Sequence, residues 1–166
     1  LASGGMITSL TSCAAARPVT ANSNFTEWLS VTDNSGRLVA MVRNPGGSGS
    51  GTNTYTTNVN INAGPVRSAS GTYYLDRNFQ ISNSAVANAE VRLFFLNSEL
   101  SALTSANSQA TAANLGVIRQ LSATCFGNFS SANGAFQFLP QTGNGVSPDG
   151  TLRWISFSTP GFSNFY

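Results

Sequence analysis

The chain has 166 residues, 41% of them apolar and only 8% charged, with eight basic residues against six acids and no His. That length fits one domain around a single hydrophobic core. All eight basic residues are Arg, spread along the chain, which excludes the basic stripe that nucleic-acid binding requires, and no apolar run reaches the roughly 20 residues of a membrane-spanning helix.

Neutral polar groups carry the solubility instead, with 23 Ser, 18 Asn and 16 Thr in place of the ~25% charge of an ordinary domain. Thr and aromatic side chains suit pleated surfaces, while Asn, Ser and Gly suit turns. The composition therefore predicts a secreted chain rich in strands. Disorder is the competing reading; it needs low hydrophobicity and high net charge, and eleven Phe with a net charge of +2 oppose it. The chain starts at Leu1 without a Met and reads as an internal or processed segment of a longer protein.

In chain order, residues 1–24 predict an irregular or extended entry segment with a weak apolar patch at Met6, Ile7 and Leu10; residues 25–166 predict a single module. Residues 25–32 and 37–43 read as strands joined at the turn signal Asp33-Asn34-Ser35-Gly36, a hairpin pattern. Residues 44–54 form a Gly, Ser and Asn loop. Along 55–62, Tyr55, Thr57, Val59 and Ile61 share one face and Thr56, Asn58, Asn60 and Asn62 the other, a half-buried strand that Ala63-Gly64-Pro65 breaks.

Residues 71–81 carry a strand, a polar break near Asp76 and a second short strand. Residues 90–96 form the most apolar strand. Asn97-Ser98-Glu99 then starts a helix near 98–104, with a capping residue and an acid in the first turn. Residues 104–114 are a polar connector, 115–125 a strand ending at Cys125, and 135–139 a short alternating strand. The turn Ser147-Pro148-Asp149-Gly150 leads to strands at 151–158 and 162–166. Cys13 and Cys125 stand outside any CxxC motif. In a secreted chain they are expected to pair, a link worth about 4–5 kcal/mol in chain-entropy terms; two free buried thiols are the alternative.

The ending Trp154-Ile155-Ser156-Phe157-Ser158-Thr159-Pro160-Gly161-Phe162-Ser163-Asn164-Phe165-Tyr166 resembles the F-x-T-x-G-F-S-x-F-Y close of modules that precede the type IX secretion sorting domain in Bacteroidota surface proteins. Tyr73-Tyr74-Leu75-Asp76-Arg77-Asn78-Phe79 and the stretch from Val91 to Leu103 are similar to the same modules, so the resemblance spans roughly residues 70–166. It implies β-sandwich modules of large secreted or cell-surface proteins, used in adhesion, surface architecture or display of an enzyme. It supplies no catalytic residues.

Without His or Lys, Ser–His–Asp and Cys–His catalysis, Schiff-base and Ser–Lys chemistry, Lys–Asn isopeptide crosslinks and His-ligated metals are all excluded. A two-carboxylate hydrolase is the enzyme class left. Of the six acids, Asp33 and Asp149 sit in turns and Glu99 at the helix start, which leaves Glu27, Asp76 and Glu90, each explicable as a surface charge or an Arg partner. Asp33-Asn34-Ser35 and Asp76-Arg77-Asn78 are the candidate calcium loops, although turn chemistry explains both. For sugar binding, Trp28, Tyr55, Tyr73, Tyr74 and Trp154 supply rings and the Asn face at 58, 60 and 62 supplies amides; the plainer explanation is that the Trp residues are core, while the neighbours Tyr73 and Tyr74 point to opposite faces of a strand, which turns one of them outward. Phe162, Phe165 and Tyr166, or the residues before Cys13, are candidates for adding a strand to a neighbouring copy, although the simpler reading is that the last strand completes its own sandwich. Asn24-Phe25-Thr26 and Asn128-Phe129-Ser130 carry the glycosylation pattern without meaning in a bacterial protein.

The sequence thus predicts an all-β, antiparallel two-sheet β-sandwich with one short helix and a Cys13–Cys125 disulfide. It predicts a non-enzymatic adhesive or structural module of a secreted bacterial cell-surface protein, with no cofactor or metal. Its expected partners are neighbouring modules, copies of the chain or surface glycans. The alternative is a carbohydrate-binding module appended to a secreted enzyme.

Overall fold

The computed structural model describes residues 9–15, 18–22, 26–45, 52–83 and 88–166. Met6, Ile7, Asn24, Phe25 and most of the 44–54 loop lie outside the described residues. Twelve strands and one helix are present among the described residues: β1 (Ser9–Ala15), β2 (Val19–Asn22), β3 (Leu29–Thr32), β4 (Leu38–Arg43), β5 (Thr52–Ala69), β6 (Thr72–Asn83), β7 (Ala89–Leu96), α1 (Asn97–Ala106), β8 (Gly116–Gln120), β9 (Phe136–Pro140), β10 (Gly143–Val146), β11 (Leu152–Thr159) and β12 (Asn164–Phe165). They form two antiparallel sheets, as a β-sandwich requires. One is seven-stranded, in the order β1-β5-β6-β12-β8-β9 with β2 also on β5; the other is five-stranded, in the order β10-β11-β7-β4-β3.

The alternation read along 55–62 is the one observed. Tyr55, Thr57, Val59 and Ile61 are buried, while Thr56 and Asn62 are exposed. The inner faces meet in a core that includes Val59, Ile61, Phe79 and Ile81 from one sheet and Val42, Val91, Leu93 and Phe157 from the other. The Asp33 turn does join β3 to β4. Its Oδ1 accepts the Ser35 and Arg37 N–H groups at 2.9 and 2.8 Å, which satisfies a tight turn from within.

Several boundaries differ from the sequence reading. The entry segment contributes two strands, β1 and β2, both laid along β5. Ala63-Gly64-Pro65 does not end β5: the ladder to β6 shifts register between Ile61 and Val66 and then resumes. Gly64 takes φ +122° there, so the extra residues are absorbed as a bulge. No break occurs at Asp76, because β6 follows from the two-residue turn Ser70-Gly71, whose φ values of 51° and 77° suit a tight hairpin.

The strand read as 115–125 stops at Gln120, and β10 was not foreseen at all. The helix runs Asn97–Ala106, but its cap is not Asn97. Glu99 reaches back to accept the Leu96 N–H at 2.7 Å, while Asn97 accepts from Arg153 Nε at 2.6 Å. Leu100 and Leu103 bury the helix against the core. No helix among the described residues is long and apolar enough to cross a membrane.

Candidate functional site

The five ring residues considered for sugar binding are dispersed. Tyr55 is fully buried and packs edge-on to Phe162, with ring centroids 5.5 Å apart. Tyr74 is also buried, under Phe129. Both are therefore withdrawn from any surface platform. Trp28 and Trp154 lie on the outer face of the five-stranded sheet, where the Arg92 guanidinium stands 4.2 Å from one ring centre and 3.9 Å from the other. Arg43 adds a second contact to Trp28 at 4.6 Å. Cations on these rings occupy faces that a sugar would use. Burial lowers the Arg92 pKa and Arg43 lowers it further, against the opposing pull of Glu90. Of the five rings only Tyr73 is well exposed, at 45%.

The carboxylates are equally dispersed. Asp33 meets Arg37, Glu90 meets Arg43, Asp76 meets Arg67 and Glu99 meets Arg77, all at 2.7–2.9 Å. Asp149 accepts from the Ser147 and Thr151 hydroxyls and the Thr151 N–H inside its own turn. Those bonds hold its carboxyl near a pKa of about 2. Burial alone would raise Asp33, but the Arg37 and Ser35 donors outweigh it and keep it below the usual range. Glu27 is exposed. Both calcium candidates are spent on these contacts, and no group of three or more His, Cys, Asp or Glu suited to a metal occurs among the described residues.

A disulfide joins Cys13 to Cys125, with Cα atoms 5.9 Å apart. It ties β1 to residues 121–135, which cross the outer face of the seven-stranded sheet as a strap. Beneath the strap, Asn58, Gln80, Asn164 and Gln120 stand directly opposite one another across β5, β6, β12 and β8. The Asn58 amide donates to Gln80 Oε1 at 2.7 Å, and the other three donate to strap carbonyls: Gln80 to Ala123, Asn164 to Ser122 and Thr124 at 3.1 and 2.9 Å, and Gln120 to Ser130 and Gly134 at 2.6 and 3.2 Å. Asn78 adds a bond to Phe126. The strap has no ladder of its own, so buried carbonyls need these donors. Its Phe129 closes a small second core with Tyr74 and Ile118. Burial raises the hydroxyl pKa of both Tyr74 and Tyr166.

The described parts of the two assembly candidates are used internally, and residues 1–8 lie outside the described residues. β1 pairs with β5, and β12 sits between β6 and β8. Tyr166 exchanges backbone bonds of 3.0 Å with Ile118. The exposed large apolar side chains are others: Tyr73, Leu121, Phe136, Phe138 and Val146. Phe136 and Phe138 lie on β9, which ends the seven-stranded sheet.

Beside them opens a cleft of about 360 Å³ between the sheets, roofed by α1 and residues 107–116. Its walls include Phe79, Leu93, Phe95, Leu103, Val117 and Ile155, and Tyr73 and Phe138 join the lining. Interiors are close-packed with few voids beyond a water molecule, and this volume falls in the range of small-molecule sites. Arg77 is the one charged residue in the described lining. It forms a doubled bond to Glu99, Nε to Oε1 at 2.9 Å and Nη2 to Oε2 at 2.7 Å. The arrangement offers apolar contact and neutral hydrogen bonds but no acid–base pair. Sequence reasoning missed the cleft because its walls read as ordinary core; the one available signal was Phe138, an aromatic left outside. No protein-family model, no curated protein and no solved structure matches the chain.

Proposed function

We propose that the chain is a non-enzymatic structural or adhesive module of a secreted bacterial surface protein, and that it meets neighbouring modules or copies of itself through the aromatic edge at β9. The observation that carries this reading is the exposure of Phe136 and Phe138, at 39% and 59%, on a strand that ends its sheet. Exposed apolar edge strands are ordinarily blunted by charge, and β9 has none. The long-range disulfide suits an oxidising compartment. The engagement of five of six carboxylates by Arg or turn donors favours a non-catalytic role.

Sedimentation velocity of the purified chain, from micromolar to millimolar concentration, tests it. Concentration-dependent association that Phe138→Ser abolishes is expected. A chain that stays monomeric throughout, or one whose association ignores Phe138→Ser, overturns the β9 contact.

A further inference from the structure

We infer that the cleft between the sheets is a binding site for a small, uncharged, apolar molecule with one neutral polar end, such as a medium-chain alcohol. This goes beyond the β9 contact and does not depend on it. The volume of about 360 Å³ suits a small molecule, and an apolar cavity binds apolar guests because water gains little by filling it.

The polarity of the site is graded. Phe79, Leu93, Phe95, Leu103, Val117 and Ile155 make the interior. The solvent-exposed part of the lining carries Gln109 and Asn114, neutral amides that can hydrogen-bond a hydroxyl. Asn114 Nδ2 already donates to the Gln109 carbonyl at 3.2 Å, and Thr104 Oγ1 donates to the Ala110 carbonyl at 2.6 Å. The first bond braces the 107–115 segment internally and the second ties it to α1.

Charge sets the ligand class. Arg77 is turned to Glu99, so within the described lining no unneutralised cation awaits a carboxylate or phosphate. An ionised head would lose hydration here without compensation. Chain length should matter as well, since each methylene moved from water into the cleft strengthens binding by roughly fourfold.

Isothermal titration calorimetry of the intact, oxidised chain with 1-decanol, 1-octanol and sodium decanoate at neutral pH tests the site. The expected result is one saturable site for 1-decanol, with 1-octanol bound about fifteenfold and decanoate about tenfold more weakly. Leu103→Phe, which fills the cleft from α1, should reduce decanol affinity at least tenfold while circular dichroism stays that of the wild type. Should that variant fail to fold, the exposed Phe138→Ser should lower affinity severalfold without affecting folding. No saturable heat with 1-decanol, decanoate binding as tightly as the alcohol, or undiminished binding by a folded Leu103→Phe variant would each overturn the assignment. The folded Leu103→Phe variant changes the cleft and leaves β9 untouched, so loss of decanol binding there with unchanged sedimentation separates the two readings.

Discussion

On the outer face of the seven-stranded sheet a row of uncharged amides holds an irregular strap of chain, whereas on the outer face of the five-stranded sheet guanidinium groups lie against indole rings. The first face is a second interior. Its donors must satisfy buried carbonyls without bringing a charge out of water, and Asn and Gln do this where Arg or Lys would be penalised. The second face keeps its cations near solvent, with their stems and planes covering apolar surface. One face thus holds chain with aligned amides, beside an Arg67–Asp76 pair, and the other carries its Arg groups against Trp and Glu side chains.

The largest effect is expected from reduction of Cys13–Cys125 or from Cys125→Ser. Loss of so long a loop closure should cost about 4–5 kcal/mol, read as a lower urea midpoint. Hydrogen exchange should rise first in the strap and β1, while β3, β4 and β7 keep their protection. Asn164→Leu comes next. It removes the donor to the Ser122 and Thr124 carbonyls and should destabilise by about 2–3 kcal/mol, in equilibrium urea unfolding and independently of salt. A cost below that of an exposed substitution would show that the strap does not need the amide row.

On the other face, Gly145→Val should cost roughly 1–3 kcal/mol. A Cβ at Gly145 would lie 2.5 Å from the Trp154 ring, so the indole must leave Arg92, and tryptophan fluorescence should report it. Arg92→Gln should cost about 1 kcal/mol through lost contact with Trp28 and Trp154. The smallest effect is acid sensitivity. Asp33 and Asp149 serve the β3–β4 and β10–β11 turns of the five-stranded sheet, and both carboxyls titrate below the ordinary value of 3.8, Asp149 near about 2. A depressed folded-state pKa contributes stability that is full above 3.8 and lost as pH falls through the folded value. Asp149→Asn should flatten that acid limb in pH-dependent unfolding, whereas Gln120→Leu should lower stability equally at every pH.

Local pattern was legible where local physics decides. The alternation of 55–62 named the buried face of β5, including the burial of Tyr55, and Asp33 and Asp149 marked turns because a short carboxylate can bond the N–H groups just ahead of it. Glu99 marked the helix start as an acid in the first turn, and it reaches back to the N–H of the cap, which fell one residue earlier than Asn97, at Leu96. The absence of His and Lys excluded whole reaction classes before any coordinate. The cleft left almost no trace, since Leu103 and Val117 look identical in sequence whether they fill a core or wall a cavity.

What only the tertiary structure decided depends on partners far apart in the chain. Gly143-Asn144-Gly145-Val146 has little strand propensity of its own, yet it pairs with β11 where Trp154 fills the space a side chain at Gly145 would take. By pattern alone Phe162, Phe165 and Tyr166 could join another molecule or complete their own sandwich; the two-residue strand β12 closes the gap between β6 and β8. Asn58, Gln80, Gln120 and Asn164 are unremarkable apart; register alone aligns them, and only a strap without its own ladder makes the row necessary. Sequence determines which face a side chain takes, because that follows from neighbours along the backbone. What the face meets is set by strands brought together from the rest of the chain.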